Sequence, residues 1–310
     1  VDIFFIISGF IISVVTKENI DWFFVKRLIR IIPLYWFFTI ILSLIAYFYP
    51  TLLRTSEFNI PHIISSLFFF PYWTENTQFM PILKLGWTLN YEIFFYLLFY
   101  ISMKINHLFR EIICSFFILS IVISNYLFAF QDNSALIFYS DSILLEFILG
   151  MMIGCIFNFK KSLLLERRIG VTALLFVIGS AFLYLSSLEN YMFKGLPRFI
   201  YYGIPSSLIF LSFIAFEHKF KSLSSLQKKI FNRFGDISYP MYLVHIYIIA
   251  TFSRLTDLKF VGVTIYFLIM MLITSVISYI IFIYFEKPVR NSFTSIYYTK
   301  ILSMKKHLSK

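Results

Sequence analysis

Charge is scarce in this chain, and most of what there is carries one sign. Asp, Glu, Lys and Arg make up 14% of the 310 residues, with 27 basic against 16 acidic. A soluble domain carries about 25% charged residues. Cysteine is nearly absent. Cys114 and Cys155 both lie within apolar stretches, which excludes a disulfide framework and a thiolate metal site and leaves them as packing residues. No Gly-rich phosphate loop, no His/Cys cluster at metal-ligand spacing and no Ser-His-Asp order occurs. Internal repeats, low-complexity tracts and long linkers are missing too.

What fills the space is apolar. Hydrophobic residues make up 59% of the chain, phenylalanine alone numbers 41, and mean hydropathy is +0.81. Runs such as Ile31–Tyr49 and Val261–Phe285 hold almost no charge over the roughly 20 residues a bilayer core requires. The predicted fold class is therefore all-α, a polytopic transmembrane helical bundle whose first partner is the lipid bilayer. Spans are expected at about 3–16, 33–49, 87–103, 112–130, 141–158, 169–188, 198–217, 235–253 and 261–285. The stretch 61–73, PHIISSLFFFPYW, is too short to cross and reads as re-entrant or interfacial, with Tyr72 and Trp73 at headgroup level. Residues 1–290 form one membrane domain in this reading, and 291–310 a basic cytoplasmic tail.

The net charge of +11 does not point to nucleic acid, because the cations sit in short loops between apolar runs. With the loop ahead of Ile31 in the cytoplasm, 21 of the 27 Lys and Arg residues fall on the inner side. That bias supports nine crossings and puts Val1 outside. An outward start with no signal peptide before it requires a preceding span, so ten are expected in the intact protein.

The sharpest local feature is FVKRLIRIIPLYW, Phe24–Trp36. Arg27 and Arg30 are three apart and share a helix face, with Lys26 beside them. Two guanidinium forks at the mouth of a span suit a phosphate-bearing ligand. They also suit plain cytoplasmic anchoring of the span that follows.

Four ionisable residues fall within or at the edge of spans, where a charge costs of order 2.5–3.5 kcal/mol. Glu92 lies about 8 Å into its helix at 1.5 Å per residue. Thr88, Glu92 and Tyr96 recur every four positions, a polar stripe that must face the bundle interior or a wet cavity. It serves either as a clasp between helices or as a site. Glu146 sits at similar depth, above the small-residue pair Gly150 and Gly154, and reads as packing and clasp. His245, near mid-membrane, either bonds across helices or exchanges a proton. Glu286 stands four residues before Arg290 and reads as a structural ion pair, with Pro288 ending the helix.

Collected together, these stretches resemble the acyltransferase-3 family of integral-membrane O-acyltransferases. VDIFFIISGFIIS (Val1–Ser13) resembles the family's GVDxFFxxSGFxI span, and FVKRLIRIIPLYW its Arg-x-x-Arg-Ile-x-Pro-x-Tyr element, with Arg27 and Arg30 as the paired arginines. WTLNYEIFFYL resembles W-S/T-L-x-x-E-x-x-F-Y, with Glu92 as the glutamate. EFILG (Glu146–Gly150), ISYPMYLVH (Ile237–His245) and FEKPVR (Phe285–Arg290) match further elements in the same order. Family members often carry an arginine before EFILG, where this chain has Ser142–Leu145.

The resemblance implies an enzyme of a bacterial-type inner membrane that moves an acyl group, usually acetyl from acetyl-CoA, to a hydroxyl of an envelope glycan or glycolipid. It implies donor binding at Arg27, Arg30 and Lys26, and a catalytic core holding Glu92, with His245 a lesser candidate. It also places an essential histidine on the span ahead of the GVDxFF element, so the 310-residue chain by itself is expected to be inactive. The competing classes are a transporter or flippase of lipid-linked saccharides, which would show broken helices and repeat symmetry, and a polysaccharide polymerase, which needs a large outer loop.

Overall fold

A computed structural model describes residues 1–17, 23–49, 59–75, 78–128, 135–159, 169–188, 197–215, 223–255 and 262–308. Apart from an isolated bridge between Thr74 and Gln78, every regular element among them is helical. In chain order the first six helices are α1 (Asp2–Val15), α2 (Phe23–Phe48), α3 (Ile60–Leu67), α4 (Gly86–Ile105), α5 (Arg110–Phe128) and α6 (Ala135–Tyr139). There follow α7 (Leu145–Phe159), α8 (Ile169–Leu188), α9 (Ile204–Ala215), α10 (Ser225–Leu255), α11 (Val263–Ile281) and α12 (Lys287–Leu308). Short π segments, Phe199–Gly203 and Phe282–Glu286, lead into α9 and α12.

Among the described residues, five helical stretches are long and apolar enough to cross a membrane: Phe23–Phe48, Arg110–Phe128, Ala135–Phe159, Gly170–Ser187 and Thr264–Tyr297. Asp2–Val15 and Phe199–Ala215 are apolar but shorter. The predicted spans at 87–103 and 235–253 are also helical, within α4 and α10, but tyrosines, Glu92, Pro240 and His245 make them less apolar than the five. Length and composition thus establish a multi-pass membrane protein with five clear spans, fewer than the nine expected. The cation-rich stretches 160–168 and 219–222, used to orient the chain, lie outside the described residues, as do the ends of the predicted spans at 129–130, 216–217 and 261 and the last two residues of the predicted tail.

The helix that carries the predicted span at 33–49 begins at Phe23, with Arg27, Arg30 and Pro33 inside it. One further expectation changes: Pro288 does not end its helix. The π turn at Phe282–Glu286 re-registers the hydrogen-bond ladder just before the residue that has no N–H to give, and α12 continues. The stretch 61–73 contains only the eight-residue α3, capped by Asn59, whose side chain accepts from the His62 N–H. It closes at Phe69 with φ 58°, the left-handed conformation that glycine usually takes after a helix.

The chain forms two compact units. The first comprises Val1–Phe24 and Thr55–Ser222, the second Val25–Arg54 and Leu223–Lys310.

The first unit is built on the crossing of α1 and α7. A Cβ on Gly150 would collide with the Ile6 carbonyl oxygen, one on Gly9 with that of Phe147, and one on Gly154 would sit 2.7 Å from Ser13 Cβ. The helices touch backbone to backbone, as the Gly150/Gly154 spacing predicts, with Gly9 as the reciprocal notch. These pairings make α1 and α7 parallel. Phe95 of α4 stacks on Phe147 at 4.1 Å, and Phe5 meets the same ring at 4.9 Å, so one aromatic cluster ties three helices together. Ile6, Ile153 and Ile214 form a second apolar cluster that brings in α9. At the far end of α1 there is no cation in the last turn. Its orphan carbonyls take donors from elsewhere: His107 Nε2 lies 3.1 Å from the Thr16 oxygen, while Asn158 and Arg110 donate to Ser13 O at 3.2 and 3.4 Å.

In the second unit α2, α10 and α11 pack through Val244, Ile248 and Met270, with Phe38 and Ile277 against them. Tyr239 donates to the Ile31 carbonyl at 2.7 Å. Phe38 stacks on Tyr247. These contacts make α2 and α10 parallel.

Candidate functional site

In the first unit, the stripe read from α4 faces inward. Thr88, Glu92 and Tyr96 are all buried, Glu92 at 5% exposure. The Tyr96 hydroxyl donates to Glu92 Oε1, one helical turn along, and Ser8 of α1 donates to the same oxygen at 3.3 Å. Thr88 caps the carbonyl of Leu85 at 3.1 Å. Glu92 is therefore both a clasp between α1 and α4 and a carboxylate oriented by donors on two helices. Ser8 is a partner that sequence reasoning missed. It lies within the SGF of the first motif, and nothing in local spacing ties residues 84 positions apart.

The second unit carries the basic face. Arg27 and Arg30 lie on the first turns of α2, both half-buried, with Lys26 exposed beside them. Arg30 donates to Ser238 of α10 at 3.4 Å, and Ser238 in turn donates to Gly235 O at 2.8 Å. Glu286, buried at the end of its π turn, lies within electrostatic reach of Arg30, Arg290 and Asp236, and sits 4.0 Å from the Arg290 guanidinium. The expected Glu286–Arg290 pair is thus present, and Arg30 belongs to the same ionic group. His245, half-buried on α10, turns Nδ1 onto carbonyls of its own helix, 2.7 Å from Tyr242 O and 3.3 Å from Met241 O. Carbonyl oxygens only accept, so Nδ1 carries the proton and Nε2 is the basic nitrogen.

Sequence reasoning gave no part to Asp2 or Arg198 and put Glu146 down to packing. The structure joins all three at one end of the first unit. Arg198 donates to Asp2 Oδ1 from Nε at 3.1 Å and from NH2 at 2.9 Å. Glu146 is fully buried, and its carboxyl faces that of Asp2.

A family profile described as an acyltransferase domain matches residues 1–283. Among curated proteins, the chain is 30% identical over 268 residues to the exopolysaccharide production protein ExoZ of Rhizobium meliloti (strain 1021), covering 82% of this chain and 77% of the relative. No solved structure matches it. The match over nearly the whole length, on the motifs that hold Arg27, Arg30 and Glu92, shows that the chain belongs to the acyltransferase-3 family.

Proposed function

We propose that the protein is a membrane-bound O-acyltransferase that moves acetyl from acetyl-CoA to a hydroxyl of a cell-envelope polysaccharide or glycolipid. The observation that carries this reading is Glu92, a buried carboxylate with donors fixed on it, in a chain of acyltransferase kind. The relative named for exopolysaccharide production supports a saccharide acceptor.

In the reaction the acceptor oxygen attacks the thioester carbonyl, a C–O ester bond forms, and the C–S bond breaks. The hydroxyl proton passes through a base to the leaving thiolate. Arg27 and Arg30, with Lys26, hold the phosphates of the donor by charge-assisted hydrogen bonds. Arg30 is suited to that task because Ser238 and the carboxylate of Glu286 already limit its freedom. Glu92 orients the base or the acceptor hydroxyl, as a carboxylate orients imidazole in a triad. Nε2 of His245 is a second place for a proton to rest. With the cation-rich loops inside, as the distribution of Lys and Arg along the chain favours, the donor is gripped from the cytosol and the acceptor met from the opposite face of the inner membrane.

The donor claim has a direct test. Replacing Arg27 and Arg30 together by alanine should weaken acetyl-CoA binding by about tenfold or more, while leaving insertion into the membrane unchanged. Undiminished affinity in that variant would move the donor site elsewhere.

A further inference from the structure

Glu146 poses a problem that the acyl-transfer roles above do not solve. It is 0% exposed, and neither carboxyl oxygen meets a hydrogen-bond donor among the described residues. The carboxyl of Asp2 interacts with it, and Arg198 lies within electrostatic reach. One guanidinium, Arg198, stands against the two and donates from Nε and NH2 to Asp2. Two carboxylates and one guanidinium leave a negative charge unbalanced in a buried place, unless a proton is shared or donors arrive from outside.

The surroundings favour donors from outside. Asp2 and Arg198 are not sealed in, with side chains 15% and 34% exposed, so the cluster opens at their end and closes at Glu146. The Arg198 guanidinium lies 5.2 Å from the centroid of the Tyr202 ring. The π segment that begins just after Arg198 brings Gly203 against the carboxyl. A Cβ on Gly203 would come within 3.0 Å of Glu146 Cγ and 3.4 Å of Oε1. A methyl group there would make the Glu146 side chain give by a few tenths of an ångström, and a π turn inside a helix is often found where function needs it.

Paired carboxyls, a guanidinium and an aromatic ring are the side chains that hold a sugar. Hydroxyls donate to carboxylate oxygens and accept from guanidinium, while ring CH faces cover the aromatic. We infer that Asp2, Glu146 and Arg198 form a saccharide-hydroxyl subsite, the place where the acceptor is positioned. This rests on the acyltransferase reading above and adds to it which end of the first unit meets the glycan. By the charge distribution of the loops, that end faces away from the cytoplasm, where the acceptor lies.

The test separates this site from the reaction itself. Membranes bearing the full-length protein are given acetyl-CoA and the host's own exopolysaccharide, stripped of esters by mild alkali, and KM is measured for each substrate. Glu146→Gln should raise the acceptor KM by about tenfold or more, with the acetyl-CoA KM and the melting temperature in detergent unchanged. Gly203→Ala, which crowds Glu146 without removing charge, should raise the acceptor KM in the same direction. The exchange Asp2→Arg with Arg198→Asp should leave the acceptor KM high. An unchanged acceptor KM in Glu146→Gln, or its return to normal in the exchanged pair, would reduce the cluster to a strut between helices. A parent protein that transfers no acetyl to any saccharide would overturn the function, and this subsite with it.

Discussion

Glu92 and Glu146 are two carboxylates of one unit, each a short way into a helix from the same end, and each buried. Their surroundings differ. Glu92 receives hydroxyl donors from Tyr96 and Ser8, so its charge is supported by groups the chain supplies. Among the described residues Glu146 receives no N–H or hydroxyl donor and faces Asp2 instead. A buried carboxylate with its own donors is set for an orienting or catalytic task, whereas one without them calls for donors from a ligand. Burial alone does not distinguish the two roles. The identity of the neighbouring atoms does.

The largest effect that would sharpen this contrast lies at Glu92. Glu92→Gln keeps the shape and one acceptor oxygen but removes the charge, and turnover should fall by about 10²- to 10⁴-fold with acetyl-CoA affinity nearly unchanged. Normal turnover would return Glu92 to the role of a clasp. Tyr96→Phe removes only one of its donors, and the loss in turnover should be nearer tenfold. A loss as large as that of Glu92→Gln would show that the tyrosine itself takes part.

The frame on which both carboxylates are mounted can be broken separately. Gly150→Ala drives a methyl group into the Ile6 carbonyl, and the backbone contact of α1 with α7 has no flexible neighbour to yield. A loss of about 1–3 kcal/mol is expected, read as a lower unfolding midpoint in detergent. The same substitution at Gly170, where a Cβ meets nothing within 4 Å, should change nothing. Equal effects at the two glycines would mean that the α1–α7 contact does not set the unit's stability.

The smallest effect concerns a buried polar group outside the membrane spans. His62 is held below the ordinary histidine value of 6.5 by burial, against the opposing hydrogen bond at 3.0 Å to the Met80 carbonyl. A depressed histidine pKa favours the neutral ring in the folded chain. Its contribution is therefore complete above about pH 6.5 and is lost as pH falls through the lower folded value. Hydrogen exchange at the Ile82 N–H, which donates to Ser66 Oγ beside this turn, should speed up on acidification to about pH 5 beyond the intrinsic pH effect. An unchanged protection factor would contradict it.

Much of this arrangement was legible in the sequence where periodicity carries the information. Every predicted span coincides with a helix, the Thr88/Glu92/Tyr96 stripe turns inward, and Gly150 with Gly154 marks the closest helix approach. Contacts between distant segments leave no such trace. Asp2 and Arg198 are 196 positions apart, and Arg198 precedes an ordinary run of aromatics. The glycines that follow Glu146 account for the helix packing, as their spacing predicts, but the carboxyl's own neighbours, Asp2 and Arg198, leave no trace in local spacing. Pro288 reads as a boundary by local backbone rules, but the π turn just before it absorbs the missing N–H. The division into two units, each drawing on both halves of the chain, likewise has no local signal.

The central claim is acyl transfer to a saccharide with Glu92 at its core. Membranes bearing the full-length protein, supplied with acetyl-CoA radiolabelled in the acetyl group, should place label on envelope polysaccharide in a form released by mild alkali, as an ester is. Membranes bearing Glu92→Gln should place almost none. Absence of alkali-labile label with the parent protein, or equal labelling by the variant, would contradict the account.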